Sequence, residues 1–94
     1  MHFMCTHTLP PHAVTIDQAR ELARMAQSDP NVRGYRSFMN LSAGKVLCIM
    51  EAKSEKAVTD WFKKMNLPYD SVTPVEYEGD RGAIREEIGV HATV

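Results

Sequence analysis

The sequence is poor in cysteine and has no long apolar segment. Its two cysteines, Cys5 and Cys48, are far apart and form no CxxC pair, so the sequence has neither a disulfide framework nor a zinc-finger pattern. No apolar run approaches the roughly 20 residues that a membrane-spanning helix requires. The N-terminus also lacks the basic and apolar regions of a signal peptide. We therefore predict a cytoplasmic protein in which both cysteines are thiols.

The chain also lacks a strong charge of either sign and the short motifs of common enzymes. The formal net charge of its 94 residues is −1, which argues against the basic surface of a nucleic-acid-binding or membrane-surface protein. No nucleophile elbow, P-loop, dinucleotide-binding fingerprint or HExxH motif occurs. The absences predict no nucleic-acid or membrane partner, but they leave open whether the protein is an enzyme.

Strand and helix patterns alternate along the chain. Helices begin after the N-cap residues Thr15 and Ser54. Strands are predicted at residues 2–8, 32–38, 45–51 and 71–77. The order βαββαβ predicts a ferredoxin-like α+β fold over residues 1–78, with a four-stranded antiparallel sheet and two helices on one face. Within this sheet we expect the first and third strands to be parallel neighbours at the centre.

The strand at residues 45–51 predicts that two copies of the chain pair. It is apolar on both faces, yet the two helices can cover only one face of the sheet. At roughly 25 cal/mol per Å², leaving the second face in water forfeits several kcal/mol. We therefore predict a homodimer that is a dimeric α/β barrel. In the alternative, residues 79–94 are not a dimer arm but a C-terminal tail that folds across this face of a monomer, with a short helix capped by Asp80.

The first strand contains a cluster of residues that suit a metal site, His2, Cys5 and His7. Cys5 and His7 are two positions apart, so their side chains point to the same face of a strand. Cys48 on a neighbouring strand is a candidate third ligand, and Glu51 or His12 a fourth. Thiolate and imidazole together suit nickel, zinc or copper. In the alternative interpretation, the two cysteines are small buried apolar residues.

Three sequence segments resemble those of a known family. They are KVLCIMEA at 45–52, SEKAV at 54–58 and NLPYDSV at 66–72. With the Leu9-Pro10 pair after the first strand, they make the chain similar to a family of small bacterial domains of unknown function that includes nickel-binding proteins. The resemblance implies a ferredoxin-like fold, a dimeric α/β barrel and a transition metal. Cys48 is the position that it matches to a metal ligand.

Three functional hypotheses follow. In the first, the protein is a non-enzymatic dimer that binds nickel or another divalent transition metal through Cys48 with His7 or Cys5. In the second, it is a small-molecule enzyme of the dimeric α/β-barrel type, such as a cofactor-independent monooxygenase, with a pocket between sheet and helices near His7 and Trp61. A deep, enclosed cavity lined by a histidine would favour the second hypothesis, and a filled core there would exclude it. In the third, the domain serves only in interactions with other proteins.

Overall fold

The computed structural model describes residues 1–87 and has a ferredoxin-like α+β fold. Two helices pack on one face of a four-stranded sheet, and a separate two-stranded hairpin follows. The elements are β1 (His2–Thr8), α1 (Ile16–Ser28), β2 (Val32–Asn40), β3 (Lys45–Ala52), α2 (Glu55–Lys64), β4 (Ser71–Pro74), β5 (Tyr77–Asp80) and β6 (Ala83–Glu86). No helix within the described residues has the length and apolarity needed to cross a membrane.

The sheet has the strand order β2-β3-β1-β4, and every neighbouring pair is antiparallel. The prediction that the first and third strands are central neighbours is confirmed, but the prediction that they are parallel is wrong. The crossover through α1 makes β1 and β2 run in the same direction. The tight β2–β3 hairpin then reverses the chain. As a result, β3 runs opposite to β1.

Both helices begin at the residues that the sequence predicts. The Thr15 hydroxyl accepts a hydrogen bond from the backbone N–H of Gln18, and the Gln18 side chain accepts one from the Thr15 N–H, which completes a capping box. Ser54 caps α2 through the N–H of Ala57. Helix α2 turns its apolar stripe to the sheet, and Val58, Trp61 and Phe62 are buried.

Strand β1 separates the two faces of the sheet by simple alternation. Phe3, Cys5 and His7 are buried beneath the helices. The residues between them point to the opposite side, which we call the open face. The open face carries apolar side chains, as predicted for β3. Its apolar members are Met4 at 41% exposure, Phe38 at 59%, Leu47 at 38% and the half-buried Ile49.

The C-terminal segment contains a β-hairpin where the sequence suggested a short helix. Strands β5 and β6 are joined by Arg81 and Gly82, whose φ angles of 50° and 89° match a tight two-residue hairpin turn. The prediction of a short helix capped by Asp80 is therefore wrong for the described residues, because Asp80 pairs with Ala83 in the hairpin. Ile88 and the rest of residues 88–94 lie outside the described residues.

Gly44, which precedes β3, makes a close backbone contact that only glycine allows. Its φ angle is +74°, and a Cβ atom there would lie 1.9 Å from the carbonyl oxygen of Leu9. We predict that Gly44→Ala lowers the free energy of unfolding in urea by more than about 2 kcal/mol, because the clash is with backbone. Gly82→Ala is the matched control, since its φ is +89° but nothing lies within 4 Å. Gly82→Ala should lower the free energy of unfolding by only about 1–2 kcal/mol. Equal decreases in the two variants would contradict the clash at Gly44.

Candidate functional site

A histidine and a cysteine meet under the helices. On β1, His7 lies two residues beyond Cys5, which is directly opposite Cys48 on β3. All three side chains therefore point to the helix-covered face. The Nε2 atom of His7 is 3.3 Å from the Sγ atom of Cys48. The structure thus brings together two of the residues that the sequence predicts as metal ligands, although they are 41 positions apart.

The orientation of the His7 ring is set by its surroundings. Its Nδ1 atom donates a hydrogen bond of 2.8 Å to the carbonyl oxygen of Pro68, which can only accept. The edge of the Phe62 ring packs against it at a centroid distance of 4.9 Å and an interplanar angle of 83°. With Nδ1 engaged, Nε2 is the nitrogen presented to Cys48. Metal-binding histidines in proteins are commonly oriented in this way, by a backbone carbonyl on the second nitrogen.

The surroundings of Cys48 favour its thiolate. The neighbouring Cys5 thiol is the largest influence, and the hydrogen bond with His7 and the charge of His7 add to it. Against the opposing effect of burial, they lower the pKa of Cys48 to about 6. Burial disfavours protonation of His7, but the contacts with Cys48 and the Pro68 carbonyl outweigh it and raise the pKa of His7. The two shifts have opposite directions, and each favours the charged form of its group, the Cys48 thiolate and the His7 imidazolium.

Cys5 differs from Cys48 in exposure and protonation. It is fully buried, at 0% exposure, and its Sγ lies 3.6 Å from the carbonyl oxygen of Phe3. The neighbouring Cys48, burial and the charge of Cys48 raise the pKa of the Cys5 thiol well above its usual range. The surroundings therefore favour the thiol form of Cys5 and the thiolate form of Cys48.

A cavity of about 120 Å³ lies between the sheet and the helices beside this pair. His7 and Cys48 supply polar groups at its wall, and the aromatic rings of Trp61 and Phe62 supply part of its apolar lining. Trp61 and Phe62 are themselves buried core residues, at 6% and 0% exposure. The sequence predicted such a pocket for an enzyme of the α/β-barrel type, and its volume is close to that of an engineered cavity that binds benzene.

The residues considered as a fourth ligand lie elsewhere. Glu51 is on the open face, opposite in direction to Cys48, where its Oε2 is 3.3 Å from Nε2 of His2. His12 is in the exposed loop before α1. Within residues 1–87, one group of three ligating atoms lies within 4.8 Å of one another, and it consists of His2, Glu78 and Glu87. Cys5, His7 and Cys48 are not such a group.

Sequence reasoning missed Glu78 and Glu87 because they belong to the C-terminal hairpin. A helical interpretation of that segment gave no reason to place them near β1. His2 belongs to the same strand as Cys5, but an even position puts it on the other face. The pair Arg81-Gly82 could have predicted the hairpin, since a glycine in a two-residue turn between two short strands is typical of one.

The comparisons with known proteins agree with this fold. A family model described as "Nickel responsive protein SCO4226-like" matches residues 3–75. The structure resembles the crystal structure of SCO4226 from Streptomyces coelicolor A3(2), with 25% sequence identity and a TM-score of 0.68, over 84% of this chain and 100% of that one. No curated protein matches the chain. Since the family model covers well over half of the sequence, this chain belongs to the SCO4226-like family of nickel responsive proteins.

Proposed function

We propose that this protein binds nickel or another divalent transition metal through the Cys48 thiolate and the His7 imidazole. The observation that carries the proposal is the 3.3 Å approach of His7 Nε2 to Cys48 Sγ, with Nδ1 of His7 engaged by the Pro68 carbonyl. Thiolate sulfur and imidazole nitrogen are donors that nickel, copper and zinc accept. The family description, which names a response to nickel, supports the same class of metal.

His7 and Cys48 supply two of the ligands that such an ion needs. Two donors are adjacent, one of them a thiolate, which is the form of cysteine that binds metals. Cys5 is the proposed third ligand, because it is the cross-strand partner of Cys48. The Cys5 thiol must lose a proton when it binds, and so must His7 when its ring is protonated. Metal uptake should therefore release protons and become weaker as the pH falls. The remaining coordination positions would face the cavity.

Metal binding at this site can be tested with tag-free protein and cobalt as a spectroscopic probe. We predict that Co²⁺ produces a near-ultraviolet thiolate-to-metal charge-transfer band, and that Ni²⁺ displaces it. Cys48→Ala should abolish the band, and His7→Asn should weaken Ni²⁺ binding by more than about 10-fold, since a direct ligand matters at least as much as its supporting contacts. Dialysis with elemental analysis gives the stoichiometry.

His12→Asn is the matched control for His7→Asn, because it removes an imidazole from an exposed loop. It should leave the affinity and the band unchanged. A wild-type protein that shows no charge-transfer band with Co²⁺ would refute metal binding at Cys48. An equal loss of affinity in His7→Asn and His12→Asn would remove His7 from the ligand set.

A small-molecule enzyme is the second candidate, and the cavity beside His7 is the observation that favours it. The cavity has space for a ligand of a few heavy atoms, and His7 and Cys48 are among the titratable groups at its wall. Benzene or phenol titrated into metal-free protein should then shift the NMR signals of Trp61 and Phe62. If neither aromatic ring responds at millimolar ligand, the cavity does not admit such a substrate.

We also propose that two copies pair through their open faces. Met4, Phe38 and Leu47 expose apolar surface there, and hydrogen bonds join the C-terminal segment to the sheet at His2 and Tyr35. Contiguous exposed apolar patches commonly mark interfaces between proteins. A second copy brings an identical apolar sheet face, as expected for a closed symmetric dimer.

A further inference from the structure

We propose that His2, Glu78 and Glu87 form a second site, for a borderline or hard divalent cation such as Zn²⁺ or Mn²⁺, on the open side of the sheet. The ligating atoms of the three residues lie within 4.8 Å of one another. His2 Nδ1 is 2.8 Å from Glu87 Oε1. One imidazole nitrogen and two carboxylate oxygens form a donor set that suits zinc and manganese, and it contains no thiolate.

The Nε2 atom of His2 has a carboxylate partner, as the non-ligating nitrogen of a metal-binding histidine commonly does. Glu51 on β3 places its Oε2 3.3 Å from Nε2 of His2. A carboxylate on the far nitrogen of a ligating histidine fixes its tautomer and increases its basicity. A cation bound by Nδ1 would replace the 2.8 Å hydrogen bond between Nδ1 and Glu87 Oε1 and would lie between Glu78 and Glu87. A single carboxylate would be enough for an ion pair that only held the hairpin in place. Three carboxylates, those of Glu51, Glu78 and Glu87, lie around the His2 imidazole.

Tyr35 supports the site from the bulge in β2. Its ring stacks on His2 at a centroid distance of 4.3 Å and an interplanar angle of 24°. Its hydroxyl donates a 2.8 Å hydrogen bond to Oε2 of Glu78, while Arg85 binds Oε1 of the same carboxylate at 3.0 Å. The side chains of His2, Glu87 and Glu78 are only 15%, 16% and 19% exposed. The ligands are therefore held in a half-buried place instead of moving freely at the surface.

The proposed site lies outside the part of the chain that the family shares. The family model matches residues 3–75, so His2 precedes the matched segment and both glutamates follow it. The site is also on the opposite face of the sheet from Cys48. A bound cation would join the beginning of β1 to the end of the hairpin. This chain would thus possess a metal site that its relatives' shared fold does not provide.

The test uses tag-free full-length protein in the Cys48→Ala background, so that the thiolate site cannot contribute. We expect Zn²⁺ to bind at one equivalent per chain by isothermal titration calorimetry. Glu87→Gln should lower this affinity by more than about 10-fold, and Glu51→Gln by about 10-fold through the orientation of His2. Glu76→Gln is the matched control, because it removes an equal charge from an exposed position next to the hairpin. It should change the affinity less than twofold.

A second measurement keeps the proposal testable if Glu87→Gln loosens the hairpin. In wild-type protein, Zn²⁺ should shift the Nδ1 resonance of His2 far more than its Nε2 resonance. Mn²⁺, which binds thiolates poorly, should broaden the signals of Tyr35 and Gly79 more strongly than those of Phe62. Unchanged His2 resonances at saturating Zn²⁺, or equal affinities in Glu87→Gln and Glu76→Gln, would overturn the site. Neither result would affect the proposal for Cys48.

Discussion

Cys48 in the metal-free protein should react with iodoacetamide at half its maximal rate at about pH 6, the pKa that its contacts with Cys5 and His7 produce. An ordinary cysteine has a pKa of about 8.5 and reaches the same point more than two pH units higher. The rate rises with pH because the thiolate, not the thiol, is the nucleophile. Because the pKa of Cys48 is lowered, its reactivity is already near maximal at pH 7 and falls as the pH drops through 6.

Peptide mapping by mass spectrometry would separate the two cysteines. Cys5 should remain unmodified over the same range, because it is fully buried and its pKa is raised. Cys5→Ala and His7→Asn each remove a neighbour that lowers the pKa of Cys48, so both should move the midpoint of the profile upward. The shift should be larger for Cys5→Ala, since Cys5 is the larger influence. A wild-type midpoint near 9 would contradict the proposed thiolate.

Leu47→Glu should split the proposed homodimer. Leu47 lies on β3 in the centre of the open face, beside Phe38 on β2. If that face is buried between two copies, the substitution places two carboxylates in an apolar interface without partners. Such a burial costs several kcal/mol, so the dissociation constant should rise more than about 100-fold. Analytical ultracentrifugation over a range of concentrations measures the change directly.

Ile16→Glu serves as the control for the dimer prediction. Ile16 is the first residue of α1 and is 49% exposed, more than Leu47 at 38%, but it is not on the open face. The same change of an exposed apolar residue to glutamate should leave the dimer intact. A wild-type protein that sediments as a monomer at all concentrations would refute the pairing. Equal dissociation constants for Leu47→Glu and the wild type would place any interface elsewhere.

The two proposed metal sites occupy opposite faces of one sheet, and their donors differ in kind. Cys48 and His7 combine sulfur with nitrogen beneath the helices. His2, Glu78 and Glu87 combine nitrogen with oxygen on the open side. Softer metals should therefore prefer the first site and harder ones the second. A titration with Ni²⁺ alone could fill both, which is why single-site variants are needed to interpret it.

Local signals in the sequence were sufficient for most of the fold. Thr15 and Ser54 predicted the helix starts because capping depends on residues within one turn. The unbroken apolar run in β3 predicted a central strand, and β3 is central. A glycine inside a strand is typical of a β-bulge, and the register of β2 shifts between Gly34 and Arg36. The relative direction of β1 and β3 depended on how the connections cross the sheet, and the prediction of parallel strands was wrong.

The sequence by itself determined the element order, the helix caps and the alternation that sends Cys5 and His7 to one face and His2 to the other. Only the tertiary structure decided which distant side chains meet. The contact of His7 with Cys48 depends on strand register, and the carboxylates of Glu78 and Glu87 reach His2 only through the hairpin. Caps and alternation are set by neighbouring residues, whereas register and docking depend on the free energy of packing the whole domain.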